Sequence, residues 1–287
     1  MENLEKEKSE IIEQLKKGLL SVNPELKDTE KFFDKDNNLK NQKNNLFKNE
    51  DSKYVLGEDA DSVYSSKAMI YNTFYNGGVQ FIKGKLFMPF ENFYNLPLPT
   101  IQADSSDSCI ATLDVSVLST DKLTFKLLEP KCLEWFDSPS LLNKEFLNPE
   151  KYMDKEAGDV FIPFIKSIID YYDPEHQAYI SKFNVYDAFE MVRDLIGLYN
   201  LCRTKPEEKK IVKLLNIVWD APQYKRYQEE EAQGREFVAY AMEYFTPVFE
   251  KMGLTVSIQY IKYSDFLTQI DWSKDTERRN YLNRYVI

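Results

Sequence analysis

Histidine is all but missing from this chain: His176 is the only one in 287 residues. Ser-His-Asp catalysis, HNH-like chemistry and multi-histidine metal sites therefore have no material. His176 itself lies beside Asp173-Pro174-Glu175 in a loop-like stretch and reads as a solvent-exposed side chain. Cysteine is scarce too. Cys109, Cys132 and Cys202 are odd in number and widely spaced, which leaves neither a disulfide framework nor a zinc motif. The nine scattered glycines contain no phosphate-cradling loop, and Gly77-Gly78 reads as a turn. No apolar run approaches the roughly 18 residues of a membrane span and no secretory h-region follows Met1, so a cytoplasmic protein without a membrane partner is expected.

Positive charge is in deficit. Against 47 Asp and Glu stand 37 Lys and Arg, a formal net charge of −10, whereas non-specific nucleic-acid binding relies on cations that neutralise phosphates. Segregation of Lys209, Lys210, Lys213, Lys225, Arg226, Arg235, Arg278, Arg279 and Arg284 into local basic surfaces would offset the deficit. Aromatics are plentiful, 19 Tyr and 19 Phe, and most must form core. Tyr171, Tyr172, Tyr179 and Tyr186 have a second use open to them, stacking on bases.

The chain is long enough to bury one large core. Met1 to Leu20 has the spacing of an amphipathic helix, and residues 28–61 are dense in Asn, Lys, Asp and Glu, as in a linker. The expected division is an N-terminal helix and polar linker over residues 1–61, an appendage to a domain over 62–287. Ile11, Ile12, Leu15 and Leu19 on that helix leave open a packing role against the core. Within the domain, Ser65-Ser66 followed by Ala68, Met69, Ile70 and Phe74 predicts a capped helix. Val79 to Phe87 predicts a first strand, and Val185 to Tyr199 a helix. Ile211 to Trp219 reads as a buried strand, Arg235 to Glu250 as a helix and Leu254 to Tyr263 as a final strand.

The richest stretch is a hairpin. Cys109 to Leu118 and Leu123 to Trp135 flank Ser119-Thr120-Asp121-Lys122, a strand, turn and strand pattern. With Thr120 and Asp121 at the turn centre, Asp114 faces Leu127. Alternation then puts Asp114, Leu127, Glu129 and Lys131 on one face, with Glu129 the diagonal neighbour of Asp114 at about 7–8 Å. Two carboxylates and an ammonium on one face can hold a hard divalent ion and polarise a water.

An Asp on one strand and Glu/Asp-x-Lys on the next resembles the PD-(D/E)XK nuclease superfamily, the restriction-endonuclease-like fold. Asp114 matches the first position and Glu129 and Lys131 the second; Leu113 replaces the family's leading Pro, and Pro130 occupies the x position. Proline cannot donate to a sheet ladder, so a bulge at the motif is expected. Ser65-Ser66-Lys67-Ala68 with Asn72 also looks like a branch of restriction endonucleases assigned to that superfamily. The resemblance, over about Ser65 to Tyr263, implies an α/β fold with an αβββαβ core, a central mixed sheet flanked by helices. It further implies Mg²⁺ or Mn²⁺ on Asp114, Glu129 and the Pro130 carbonyl, with Lys131 orienting the attacking water. The implied partner is a DNA substrate, and a homodimer is left open.

The first helix, Lys67 to Tyr75, lacks the acid that many superfamily members carry there. A third ligand would come from Glu91, Asp104 or Asp107. Tyr186, Glu190 and Arg193 on the second helix are polar candidates, against the plainer reading of an exposed face. Acidic-x-Lys triplets also arise by chance, as in Glu207-Glu208-Lys209-Lys210. The rival reading is a catalytically inactive member of the fold serving as a nucleic-acid-binding or protein-interaction module.

Overall fold

The computed structural model describes residues 2–22, 62–74, 79–82, 86–102, 110–204 and 210–286, and statements of absence below refer to these. The chain runs α1 (Glu2–Val22), α2 (Ser66–Phe74), β1 (Val79–Gln80), β2 (Leu86–Pro99), β3 (Ile110–Ser119) and β4 (Thr124–Lys131). An insertion follows with β5 (Leu142–Asn143), α3 (Lys155–Ile168), β6 (Ile169–Asp173) and β7 (Ala178–Ser181). Then come α4 (Ala188–Thr204), β8 (Ile211–Val218), α5 (Lys225–Lys251), β9 (Thr255–Lys262), α6 (Tyr263–Thr268) and α7 (Thr276–Leu282). Six strands form one mixed sheet in the order β1-β2-β3-β4-β8-β9, antiparallel from β1 to β4 and parallel from β4 to β9. The insertion builds a separate three-stranded sheet, β5-β7-β6.

Local chemistry explains most of these elements. Ser65 Oγ caps α2 by accepting from the Ala68 N–H at 3.1 Å. The parallel strands β8 and β9 need crossovers, and α4 and α5 supply them. α4 lies against β2 and β3, α5 against β9, and α2 against β3 and β4. No helix among the described residues is long and apolar enough to cross a membrane.

Several elements differ from expectation. The run from Val79 to Phe87 is not one strand: β1 stops at Gln80, and a new strand of 14 residues starts at Leu86. Pro89, Pro97 and Pro99 hide β2 in the sequence, but β1 pairs only with its first two residues, so its outer side is an edge where proline is tolerated. Helix α5 begins ten residues before Arg235, and its first turns are hidden in the sequence because an acid and a glycine, Glu230 and Gly234, follow Tyr227 on the inward stripe before Phe237 and Ala241. No bulge interrupts β4 at the motif. Lys131 O accepts from the Trp219 N–H at 2.7 Å, so the Lys131 peptide faces β8 and, by alternation, the Pro130 nitrogen faces the β3 side. Pairing with β3 has already ended at Val115↔Leu128, and the ladder needs no N–H from Pro130.

Helix α1 is integrated into the core instead of standing apart as an appendage. Ile11, Leu15 and Leu19 are completely buried in it, Gln14 Nε2 donates to the Tyr224 hydroxyl at 3.2 Å, and Lys8 pairs with Asp137 at 3.2 Å. At Gly18 the helix approaches the C-terminal turn so closely that an added Cβ would sit 2.2 Å from the Arg284 carbonyl oxygen. In a free helix Gly18→Ala would stabilise by roughly 1 kcal/mol. Here it is expected to lower the melting temperature by several degrees in a thermal scan, because the obstacle is backbone; a rise would mean that α1 is not docked in solution. The linker residues 28–61 lie outside the described residues.

Candidate active site on the hairpin

The hairpin turn sets the geometry. Its loop is four residues, Thr120 to Leu123, closed by the Lys122 N–H donating to Ser119 O at 2.7 Å. The Ser119 hydroxyl donates to the Asp121 carboxylate, which also accepts from the Leu123 N–H, and Lys122 sits at φ 58°. The observed register, Leu118↔Phe125 to Val115↔Leu128, is two residues away from a two-residue turn. An even shift keeps every face, so Asp114, Leu127, Glu129 and Lys131 still share one. It changes the partner: continued by one step, the register puts Glu129 directly opposite Asp114, not diagonal to it.

Lys131 Nζ donates to Glu129 Oε1 at 2.9 Å and to Glu190 Oε2 at 2.6 Å. Glu190 reaches it from the first turn of α4, which Asp187 caps by accepting from the Glu190 N–H at 3.0 Å. Asp187 also accepts from the Ser140 N–H and hydroxyl, latching the segment after β4 onto that helix start. The three polar candidates divide, and Tyr186 precedes the helix, which starts at Ala188. Glu190 enters the site, Arg193 turns away to the Ser140 hydroxyl at 2.8 Å, and the buried Tyr186 lines the adjoining cavity.

Two further acids, Asp194 and Glu230, escaped the sequence reading. Asp194 lies four residues after Glu190, one turn along α4, and is buried; Glu230 is buried on the inward stripe of α5. The available signal was position, since both acids fall at buried spacing, and an acid there reads as an interruption of the stripe. Glu129 Oε2, Asp194 Oδ2 and Glu230 Oε2 have no hydrogen-bond partner. A cavity of about 190 Å³ adjoins the site, lined by Lys131, Glu134, Asp187, Glu190 and Glu230 among others.

One ammonium thus serves a crowd of carboxyl groups. Burial pushes the Asp114 carboxyl up to about 6, with Lys131 and Lys67 opposing and Glu190 and Glu134 adding to the rise. Burial raises Glu129 well above its ordinary value against the pull of Lys131, and Asp194 rises in the same way, with Glu190 adding to its burial. Glu230 is pushed up to about 8, mainly by burial. Burial works against the Lys131 charge, yet Glu129, Glu190 and Glu134 outweigh it, so the ammonium persists and some of the acids hold protons at neutral pH.

This has a measurable consequence. Between pH 3.8 and about 6 the folded chain binds more protons at Asp114 than the unfolded chain, so this group makes stability fall as pH rises through that window. Asp114→Asn removes the loss. Urea unfolding in the absence of metal should give equal stabilities below the window and an advantage to the variant of about 3 kcal/mol above it. Parallel curves at every pH would show that burial does not raise the Asp114 carboxyl in solution.

The other candidates are dispersed. Asp104 and Asp107 lie outside the described residues, as do the Glu91 side chain, Cys109 and the Glu207 to Lys209 run. His176 is exposed and bonded to Asp173 at 2.7 Å, while Cys132 and Cys202 are buried. Tyr171 and Tyr172 are exposed on the inserted sheet. Of the basic residues, Arg235 is paired with Glu231 on its own helix, Arg278 with Asp275 at the cap of α7, Lys225 with Glu229, and Arg284 is buried. Comparisons with protein-family models, with curated proteins and with solved structures find no match.

Proposed function

We propose that this chain is a divalent-metal-dependent nuclease that hydrolyses DNA phosphodiester bonds on a restriction-endonuclease-like core, with the β5-β7-β6 sheet inserted after the motif strand. The observation that carries the reading is that Asp114, Glu129 and Lys131 share one sheet face while Glu190 converges on Lys131 from the following helix. The order α2, β-meander, α4, β8, with α5 and β9 added, supports the same core.

The donor chemistry fits a hard cation. Mg²⁺ is usually held by one or two carboxylates, waters and the substrate phosphate; Asp114 and the unpartnered Glu129 Oε2 supply the carboxylates. The Pro130 carbonyl, turned like its nitrogen toward the β3 side beyond the last paired residues, supplies a third oxygen. When bound, the metal neutralises the scissile phosphate and lowers the pKa of its water. Lys131 then stabilises the negative charge that develops as water attacks, and Glu129 and Glu190 fix its ammonium in place.

The test incubates the full chain with plasmid DNA, single-stranded DNA and RNA in Mg²⁺, Mn²⁺ or EDTA. Expected is metal-dependent DNA cleavage that falls about a hundredfold or more in Glu129→Gln, and calorimetric Mg²⁺ binding that releases protons from the crowded acids. The inactive-module reading has one observation in its favour: no three His, Cys, Asp or Glu side chains among the described residues are arranged to hold a metal. It would prevail if Mg²⁺ gave neither heat nor proton release and no nucleic acid were cut.

A further inference from the structure

The opposite face of the same sheet holds a second polar feature. Lys126 alternates away from Leu127 and Glu129, and its registered neighbour on β8 is Lys213. Two lysines thus stand side by side on adjacent strands, about 4.8 Å apart by strand spacing, an arrangement that is destabilising when both are charged. Lys126 is only 7% exposed. Its ammonium sits 3.3 Å from the centroid of the Phe81 ring and 4.2 Å from that of Phe87, whose negative faces offset part of the burial cost. Neither lysine has a carboxylate partner among the described residues.

Both line a cavity of about 490 Å³ with Phe81, Ile82, Phe87 and Ile211, within the size range of small-ligand sites. Thr124, Thr268 and Gln269 complete the lining, which contains no acid, although acids outnumber bases 47 to 37 in the chain. A wall with two cations, no anion and several apolar side chains is complementary to one kind of molecule. We propose that this cavity binds a small organic acid, its anionic head group between Lys126 and Lys213 and its flat apolar body against Ile82, Phe87 and Ile211. Burial, and then Lys213, hold the Lys126 ammonium down to about 7, so an anion that neutralises the pair draws a proton onto Lys126 as it binds. The site is independent of the nuclease reading, being on the other side of the sheet.

The probes are naphthoate and its neutral counterpart naphthylmethanol, titrated calorimetrically into the full chain slightly above neutral pH in two buffers of different ionisation heat. Saturable naphthoate binding is expected, at least about tenfold tighter than the alcohol, with net proton uptake. Lys126→Met should stay folded, since it removes a buried unpaired charge, and should weaken naphthoate about tenfold without changing the alcohol. Lys213→Met, on a half-buried side chain, should do the same and serves if the first variant misfolds. Equal affinity for acid and alcohol, binding indifferent to both substitutions, or no saturable naphthoate binding at millimolar concentration would each overturn the proposal.

Discussion

A chain shortened to begin at Ser62 is expected to lose its cooperative unfolding transition, appearing in thermal or urea scans as a broad, molten or insoluble species. Ile11, Leu15 and Leu19 are fully buried in the main core, and fully burying such a side chain stabilises by roughly 1.5–3 kcal/mol. Their combined loss, roughly 5–9 kcal/mol, is of the size of a whole domain's net stability, about 5–15 kcal/mol. The effect extends beyond three side chains. α1 covers the C-terminal turn around Arg284, whose neighbour Tyr285 accepts the Trp219 indole N–H at 2.7 Å through its carbonyl. Removing α1 therefore uncovers the support of a buried Trp at the end of β8. A shortened chain melting within a few degrees of the full one would sink this expectation and restore the view of α1 as an appendage.

The second large effect is that of Lys131→Met, which removes the ammonium bonded to both Glu129 and Glu190 while keeping much of its volume. Glu129 and Glu190 then face each other and Asp114 without a counter-ion, and breaking a buried pair in this way typically costs about 3–5 kcal/mol. The deficit depends on pH in a defined direction. Without the ammonium the Asp114 and Glu129 carboxyls, already raised by burial, rise further and hold protons in the folded state that the unfolded state releases. The variant's stability therefore falls as pH increases, so the deficit is small in mild acid and large in mild base. Urea midpoints across that range check this, and a deficit independent of pH would mean that Lys131 acts only through packing. If the chain is a nuclease, cleavage should drop by about two orders of magnitude or more at a pH where the variant is fully folded. Unchanged cleavage there would remove Lys131 from the chemistry.

Glu129 and Asp114 were legible because strand alternation has period two, and a register error of two residues leaves each side chain on its face. Their direct opposition was not legible. It depends on hydrogen bonds within Ser119 to Thr124 that convert an apparent two-residue turn into a four-residue loop. Glu190 was legible as a polar position on a helix, but its direction was not, because helical spacing defines a face without saying what that face meets. Asp194 and Glu230 stayed hidden for the converse reason: acids on buried stripes are intelligible only once another element brings a lysine near them. Strand β2 was obscured by prolines that an edge permits and a centre forbids.

By itself the sequence determined the α/β pattern of alternating strands and helices, the cap of α2 and the shared face of the motif residues. Each of these depends on residues a few positions apart. Tertiary structure alone decided that α1 belongs to the core, that Lys131 is held between Glu129 and Glu190, that Pro130 needs no bulge, and that Lys126 stands beside Lys213 on the reverse face. Those outcomes join residues separated by tens to hundreds of positions. They follow from which surfaces must be buried together, a quantity that no local spacing records.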